Sequence, residues 1–327
     1  MRAIVLNAPG EPHTLTLQEL PIPEPGYGEI RVRIKAASLN PVDYKMAMNG
    51  HPDWVYPFVP GVDAAGIVDL VGEGVTQWSK GDRVVYHGSF VRPGSFEEYN
   101  IAKAHAVGRI ADGISFEEAA AFPCAGLTAY QVLNRKMNMK AGSSILIHAG
   151  AGGVGGYAIQ LAKAYGASQI LTIASPDNFD YVKSLGADIV IDYNVGNIHE
   201  RVMELTNGLG VDYILNSINR KSAQEDLPML SFGGQLACIA GAPEIVADFQ
   251  PSHKTFTIHK MMLAGAHLSN DKRAESELGV MAEEFMELMV AGKIRSTISK
   301  RISLDEVPQE LTRLKQRHVM GKIVVSL

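Results

Sequence analysis

The sequence predicts an α/β protein that combines a mostly antiparallel β domain with a doubly wound parallel sheet, and three observations support this. Short apolar segments separated by proline and glycine turns fill residues 1 to about 120. From about residue 123, apolar strands alternate with helical stretches, as in a parallel sheet that helices cover on both faces. A glycine-rich turn links the first strand and the first helix of that second part.

The β domain is predicted from segments in which apolar and polar residues alternate between turns. Examples of these strand-like segments are 30–34, 65–71 and 82–86. The last segment, 321–327, has the same character and is expected to return to this domain. We therefore predict a discontinuous domain of residues 1–122 and 268–327.

The inserted domain, residues 123–267, is predicted to hold the parallel sheet. Its strands are expected at 144–149, 169–173, 188–191, 211–215, 235–240 and around 261–267. A strongly amphipathic helix then runs from about 274 to 291 and ends at Gly292. The apolar face of this helix carries Leu278, Met281, Phe285 and Met289.

The glycine-rich turn has the spacing of the fingerprint by which Rossmann sheets bind dinucleotides. Gly150 permits a tight turn, Gly152 lets the backbone approach a pyrophosphate, and Gly155 lets helix and strand pack closely. Gly153 and Val154 open the helix, whose free N–H groups attract phosphate. The alternative is a glycine-rich turn that serves packing alone. The buried strand before it and the amphipathic helix after it favour cofactor binding.

The identity of the dinucleotide depends on the end of the second strand, 169–173. An NAD-binding protein usually places a carboxylate about twenty residues beyond the fingerprint, but here the strand leads to Ser175. A small neutral residue leaves room for a 2′-phosphate and favours NADP. Asp177 and Asp180 follow without an adjacent basic residue, so NAD stays open. Ser175 and Pro176 also suit an ordinary helix start.

Composition excludes several classes of function. The 327 residues are 46% apolar with a net charge of −5, which gives no electrostatic footprint for nucleic acid or an anionic membrane. The two cysteines, Cys124 and Cys238, cannot form a disulfide framework or a cysteine-rich zinc site. The first residues resemble a strand more than a signal peptide, and no apolar run of about eighteen residues occurs. A cytoplasmic location is expected.

Five stretches together carry a family resemblance. They are ASLNPVDYK at 37–45, PGVDAAG at 60–66, GDRV at 81–84, GLTAY at 126–130 and the loop 150–156. Their order and spacing resemble the medium-chain dehydrogenase/reductase superfamily, and specifically its zinc-free quinone and enone oxidoreductase branch. The resemblance implies a GroES-like substrate domain at both chain ends, an inserted Rossmann cofactor domain, and an active cleft where they meet. It also implies a homodimer or tetramer, with 261–266 as the pairing edge.

The resemblance further implies chemistry without a metal. Zinc-dependent relatives place a cysteine ligand near the position of Asn40 and a histidine where this chain has Val62, which cannot coordinate a metal. Cys124 is interpreted as a small buried hydrophobe. The expected activity is NADPH-dependent reduction of a quinone or an α,β-unsaturated carbonyl by hydride transfer. The alternatives are zinc-type alcohol dehydrogenase activity and a non-catalytic, crystallin-like dinucleotide-binding protein.

Asn40, Tyr44 and Lys45 are the candidate catalytic residues. Asn40 could donate from its amide to the substrate carbonyl or orient the nicotinamide carboxamide. Lys45 matches a lysine near the cofactor in plant-type enone reductases and could stabilise an oxyanion. Tyr44 could donate a proton or stack on the substrate. The structural alternatives are a turn at Asn40, a helix cap at Asp43, and simple packing of Tyr44.

Further cofactor contacts implied by the resemblance are Thr128, Tyr193 and Arg317. Thr128 equally suits a helix-start hydroxyl that binds backbone, and Arg317 a solvated helix end. Asn216, Ala240 and Gly241 follow strands whose carboxyl ends should face the ligand. The segment after Lys45 could line the substrate pocket or belong to the core, and its candidates are Met46, Met48, His51, Trp54 and Tyr56.

Overall fold

The computed structural model describes residues 1–244, 254–317 and 319–327. The strands are β1 Arg2–Val5, β2 Thr16–Glu19, β3 Glu29–Ser38, β4 Asp63–Val71, β5 Arg83–His87, β6 Tyr99–Lys103, β7 Gly108–Arg109, β8 Ser144–Ile147, β9 Gln169–Ala174, β10 Ile189–Asp192, β11 Val211–Asn216, β12 Leu230–Cys238, β13 Phe256–Lys260, β14 Ile298–Ile302 and β15 Lys322–Ser326. The helices are α1 Pro41–Asn49, α2 Phe116–Ala121, α3 Pro123–Tyr130, α4 Gly153–Ala164, α5 Phe179–Ser184, α6 Ile198–Leu205, α7 Arg220–Asp226, α8 Gly265–Leu268, α9 Lys272–Val290 and α10 Val307–Lys315. Within the described ranges, no helix combines the length and apolar character needed to cross a bilayer.

The contacts within the chain divide it into two compact units. The terminal unit consists of Met1–Leu127, Leu263–Gly292 and Ser296–Leu327. The central unit consists of Thr128–Met262 and Lys293–Arg295. The domain limits predicted from the sequence, 1–122 with 268–327 and 123–267, remain a prediction.

The terminal unit contains a seven-stranded sheet in the order β14-β15-β3-β4-β5-β7, with β6 paired to β3. All of its pairs are antiparallel except β14 with β15. Along β3, Ile30, Val32 and Ile34 point in turn into the core, which follows from the two-residue period of a strand. This sheet is the mostly antiparallel β domain that the alternating segments predicted.

Helix α9 covers part of the same unit with its apolar face. Leu278, Met281, Phe285 and Met289 are all buried, and Gly292 follows the helix with a φ of 69°. The amphipathic helix predicted at 274–291 is therefore confirmed, with bounds shifted by one or two residues. Asp271 caps its first turn by accepting a hydrogen bond from the Arg273 N–H.

The central unit contains a six-stranded parallel sheet in the order β10-β9-β8-β11-β12-β13. In chain order this is 3-2-1-4-5-6, the arrangement of a Rossmann sheet, so the predicted doubly wound fold is confirmed. Strand β8 lies between β9 and β11, and its residues Ile145, Leu146 and Ile147 are apolar and fully buried, as is typical of a central parallel strand. The sheet order reverses beside β8, where a ligand binds in folds of this kind.

The strand predicted around 261–267 is wrong. The edge strand β13 ends at Lys260, and helix α8 occupies Gly265–Leu268. The apolar run at 261–264 resembles a strand in sequence. In the structure it is a connection that leads into α8, and Met261 and Leu263 are its buried residues. The pairing edge expected at 261–266 therefore does not lie on a strand, and dimerisation itself stays a prediction.

Candidate functional site

The glycine turn after β8 depends on the absence of side chains at two positions. A Cβ atom on Gly155 would stand 2.2 Å from the carbonyl oxygen of Ala149, and one on Gly150 would stand 2.0 Å from Thr172 Oγ1. These glycines let α4 pack directly on the strands that precede it. Ala149 itself adopts a φ of 51°, which turns the chain sharply after β8.

Gly152 has a different role, since a Cβ there meets nothing closer than Ala149 O at 3.3 Å. It is the N-cap of α4 and offers no side chain to the helix start. The N–H groups of Gly153, Val154 and Gly155 stand in the first turn, where no intrahelical acceptor exists. The start of α4 therefore offers free backbone N–H donors and the positive end of the helix dipole, and no side chain caps it. Such a helix start suits a phosphate.

The end of β9 carries the residue that was expected beside the adenosine ribose. Ser175 is half-buried, and its Oγ accepts a hydrogen bond of 2.8 Å from Asn178 Nδ2. Asp177 is exposed in the short turn that follows. Tyr193, just beyond β10, is also exposed. A neutral hydroxyl and an amide therefore occupy the place where a carboxylate would select NAD.

Asn216 closes β11 inside a buried polar network. Its Nδ2 donates to Asp226 Oδ2 at 2.6 Å and to Ser222 Oγ at 2.9 Å, and its Oδ1 accepts from the Ile218 N–H. His148, the residue after β8, contacts the other carboxylate oxygen of Asp226 through Nε2 at 2.8 Å. The side-chain amide of Asn216 therefore holds the loop after β11 in place. Because these partners occupy the amide, a ligand at this position would meet the backbone of the loop.

The remaining cofactor candidates differ in how exposed they are. Ala240 is exposed, and Gly241 has a φ of 138° that favours glycine, with Arg220 packed beside it. Thr128 is buried within α3. Arg317 is exposed just beyond α10 with a φ of 63°, as a solvated helix end would be.

A row of polar side chains crosses four strands of the terminal unit. Ser38 on β3 pairs with Asp63 on β4, and Asp63 pairs with His87 on β5. Directly paired residues project from the same face of a sheet, which brings these side chains together. On the other side of β3, Lys322 at the start of β15 reaches Asn40. We call these five residues the polar row, and all of them are buried.

Every polar group of the Asn40 side chain is engaged within the polar row. Its Nδ2 donates to Asp63 Oδ2 at 2.7 Å and to the Ser38 carbonyl at 3.3 Å, and its Oδ1 accepts from Lys322 Nζ at 2.6 Å. Its backbone N–H donates to Asp43 Oδ2, which closes the first turn of α1. This geometry leaves Asn40 no amide proton for a substrate carbonyl.

Two carboxyl groups in and beside the polar row hold their protons more tightly than usual. Burial raises the pKa of Asp43 well above its ordinary value, and the neighbouring Asp63 charge adds to the rise. Burial also raises the pKa of Asp63, although Lys322, Asn40 and Ser38 counteract it. Lys322 Nζ lies 3.5 Å from Asp63 Oδ2 and also donates to the Leu39 carbonyl. A single buried ammonium thus faces two carboxyl groups.

Tyr44 and Lys45 are neighbours on α1 but differ in burial. Tyr44 is buried in the hydrophobic core with Ala47 and Trp54, which matches the packing alternative. Lys45 is exposed, and no hydrogen bond or ion pair holds its ammonium among the described residues. Lys45 therefore keeps all three of its donors for solvent or a ligand.

A small, partly open recess lies beside the start of α1. Trp54 forms part of its wall, where its ring stacks on Phe58 at 3.9 Å between centroids and its Nε1 donates to the Phe90 carbonyl. The other lining residues are Val42, Asp43, Met46, Pro60, Gly61, Val62 and Arg92. Trp54 and Met46, two of the expected pocket residues, are thus in this lining, whereas Met48 and Tyr56 pack against the core.

Sequence reasoning missed a cluster of three side chains that could bind a metal. One oxygen of Asp63, one ring nitrogen of His87 and Cys124 Sγ lie within 4.8 Å of one another. Burial lowers the pKa of His87 to about 3 and raises the pKa of the Cys124 thiol, with the Asp63 charge adding to the latter. The cluster could have been found from the pairing of Asp63 on β4 with His87 on β5. That pairing depends on the strand register, which the sequence alone does not give.

Comparison with known proteins agrees with this architecture. An alcohol dehydrogenase GroES-like domain model matches residues 26–127, and a zinc-binding dehydrogenase model matches residues 153–283. The chain is 31% identical to a quinone oxidoreductase of Pseudomonas aeruginosa over 99% of both chains. It is also 31% identical to a chloroplastic quinone oxidoreductase of Triphysaria versicolor, over 94% of this chain and 92% of that protein.

Solved structures extend the likeness to three dimensions. The Escherichia coli quinone oxidoreductase complexed with NADPH superposes with a TM-score of 0.89 and 28% identity, and the match covers 100% of both chains. Together with the matched domain models, this confirms the predicted GroES-like domain and Rossmann domain.

Proposed function

We propose that this chain, which belongs to the quinone oxidoreductase branch of the medium-chain dehydrogenase/reductase superfamily, is a metal-free, NADPH-dependent reductase of quinones or α,β-unsaturated carbonyls. When bound, NADPH supplies the hydride for this reaction. The chain's own residues bind the cofactor, shape a pocket for the acceptor and supply charge where the reduced product carries it. The acceptor gains a hydride and then a proton, which solvent can provide.

The glycine turn is the observation that supports cofactor binding most strongly. The absence of Cβ atoms at Gly150 and Gly155 brings the uncapped start of α4 close to the carboxyl end of β8. We infer that the N–H groups of Gly153, Val154 and Gly155 hold the pyrophosphate, and that Gly152 leaves it room. Relatives of known structure that were solved with NADPH support the same cofactor here.

The preference for NADP rests on the end of β9. Ser175 with its Asn178 partner offers neutral donors and acceptors there, and neither of them repels a 2′-phosphate. Tyr193 and Arg317 are proposed to contact the adenosine phosphate, and both are exposed. Four further residues are proposed to contact the nicotinamide half of the cofactor through backbone or hydroxyl groups: Thr128, Asn216, Ala240 and Gly241.

On the terminal unit, we propose that Lys45 stabilises the anion formed by hydride transfer. Its ammonium is exposed, whereas both amide protons of Asn40 are already donated to Asp63 and Ser38. Asn40 is proposed as a positioning residue, because its amide joins Lys322 to Asp63 and fixes the start of α1. Tyr44 supports this helix from the core. The recess walled by Trp54 is proposed to lie against the acceptor.

The residues present do not fit the catalytic zinc that the description of the matched cofactor-domain model implies. Val62 is buried and apolar where a histidine ligand would stand. Lys322 places an ammonium 3.5 Å from Asp63 Oδ2, so a divalent ion bound to that carboxylate would meet a like charge. We therefore propose a reaction that uses hydrogen-bond donors in place of a Lewis acid.

The proposal is tested by following cofactor oxidation at saturating acceptor. The panel includes a simple benzoquinone, a linear enone and a saturated ketone, each with NADPH and with NADH. We expect turnover with the quinone or the enone, a higher kcat/KM with NADPH than with NADH, and none with the ketone. Tight NADPH binding without oxidation by any acceptor would instead identify a non-catalytic binding protein.

A further inference from the structure

The Asp63, His87 and Cys124 side chains carry three kinds of ligand that divalent transition metals accept. A carboxylate oxygen, an imidazole nitrogen and a thiol sulfur stand within 4.8 Å of one another. Asp63 and His87 belong to paired positions of two strands, and the Cys124 N–H donates to Asp63 Oδ1 at 2.8 Å. The backbone therefore holds all three residues in place.

A buried ammonium stands beside this cluster. Lys322 Nζ lies 3.5 Å from Asp63 Oδ2, and its side chain is 3% exposed. The Leu39 carbonyl at 3.0 Å and Asn40 Oδ1 at 2.6 Å anchor the same nitrogen. Because two fixed acceptors hold it, the ammonium cannot move aside when another cation approaches.

We propose that Lys322 acts as a built-in cation that neutralises Asp63 and keeps transition metals out of the Asp63–His87–Cys124 cluster. The cluster is thus a latent metal site, and one residue on β15 decides whether it can be filled. A metal bound to the carboxylate would lie within a few ångströms of the ammonium, in surroundings that screen charge poorly. A metal that bound to Cys124 would displace the thiol proton. Without a metal, Cys124 keeps that proton.

Lys322 is also the counter-charge of Asp63 within the polar row. Asp63 is completely buried, and a buried carboxylate without a counter-ion is strongly destabilising. Lys322 supplies that counter-charge from the end of the chain. Removal of the ammonium should leave Asp63 without compensation, and a divalent cation could then take over its role.

The test uses Co²⁺ and Zn²⁺ as probes on the full chain, and no step of it depends on catalytic activity. In Lys322→Met, we expect one Co²⁺ per chain with a thiolate-to-cobalt charge-transfer band, and an affinity about 100-fold above that of the wild type. The wild type should show no such band. Zn²⁺ should raise the thermal unfolding midpoint of Lys322→Met and leave that of the wild type unchanged.

Two controls isolate the cause. Lys322→Met combined with Cys124→Ser should lose the charge-transfer band, because the sulfur ligand is gone. Lys80→Met, which removes an exposed lysine of the same unit, should behave like the wild type. Lys322→Gln serves as a second variant, because it removes the charge but keeps an N–H donor for the Leu39 carbonyl and Asn40 Oδ1.

Each result decides the proposal. A stoichiometric thiolate-to-cobalt band in the wild type would overturn it, since the ammonium would then exclude nothing. Folded Lys322→Met and Lys322→Gln that bind no Co²⁺ would also overturn it. If both variants refold in neither the presence nor the absence of Zn²⁺, the metal cannot replace the ammonium, and the proposal is again wrong. Quinone turnover is measured separately, so the function proposed above can fail without affecting this outcome.

Discussion

The Nζ atom of Lys322 lies 2.6 Å from the Oδ1 atom of Asn40. Because an ammonium can only donate, this contact fixes the orientation of the amide and turns its Nδ2 toward Asp63, 2.7 Å away. Asn40 thereby links the last strand of the chain to the start of β4 and to the first turn of α1. Asn40 is thus the centre of a buried network, and its part in catalysis stays a prediction.

Replacement of Asn40 by aspartate should destabilise the protein. The new carboxylate oxygen would face Asp63 at hydrogen-bond distance, and we expect a loss of about 2–4 kcal/mol in the free energy of unfolding at neutral pH. Denaturant titration measures it. Asn49→Asp, at the exposed end of the same helix, is the matched control and should stay within about 0.5 kcal/mol. Equal effects of the two substitutions would contradict the network.

Alanine at Gly155 and at Gly152 should separate folding from cofactor binding. Gly155→Ala forces a Cβ into the Ala149 carbonyl, and we expect the free energy of unfolding to fall by about 2–3 kcal/mol. We also expect this variant to lose affinity for NADPH. Gly152→Ala meets only a 3.3 Å contact and should cost about 1 kcal/mol at most. It should nevertheless weaken NADPH binding at least about tenfold, because its methyl group would stand where the pyrophosphate approaches.

Fluorescence titration with NADPH and denaturant titration of both variants make the comparison. Unchanged NADPH affinity in a folded Gly152→Ala variant would show that the phosphates bind elsewhere.

Glu97 should make the protein less stable as the pH rises. Burial raises the pKa of this carboxyl to about 8, and the Asn100 amide that donates to it counteracts part of the rise. The folded state therefore keeps a proton that the unfolded chain releases above its ordinary pKa of 4.5. The stabilising contribution is complete below that pH and is lost as the pH rises through about 8.

Glu97→Gln keeps the acceptor for Asn100 and removes this titration. Relative to the wild type, we expect the variant to gain about 2–4 kcal/mol in stability between pH 5 and pH 9. Urea unfolding at several pH values gives the two curves. If the curves run parallel over this interval, Glu97 does not hold its proton in the folded state.

The sequence predicted what local patterns determine. The period of apolar residues revealed β8, α4 and α9, and the Gly150–Gly155 spacing located the turn that joins β8 to α4, because neighbours along the chain encode these features. The strand at 256–260 was displaced to 261–267 because a short apolar connection looks like a strand. That error shows the limit of a signal that depends on hydrophobicity alone.

The polar row could not be predicted in the same way. Asn40, Asp63, His87 and Lys322 are spread over nearly the whole chain, and strand register brings them together. A register shift by one residue would place each side chain on the opposite face of the sheet. Motif matching therefore identified Asn40 as notable but could not show that its amide was already bound.

Lys45 provides the most direct test of the anion-stabilising role. Lys45→Met should leave the unfolding free energy within about 0.5 kcal/mol of the wild type, because the side chain is exposed. It should lower kcat/KM for a quinone by about 10-fold or more, since one charged donor to the product anion is lost. Lys80→Met is a matched surface control that should change neither quantity. Full activity of Lys45→Met would assign the stabilisation to another donor.

The central claim is that the reduction proceeds without a bound metal, and the decisive measurement is NADPH-dependent quinone reduction by protein from which metals have been removed. Protein dialysed against a strong chelator, with its residual metal content determined by mass spectrometry, is compared with untreated protein and with protein resupplied with Zn²⁺. We expect the same kcat and kcat/KM in all three preparations. Loss of turnover in the chelated protein that Zn²⁺ restores would contradict the account.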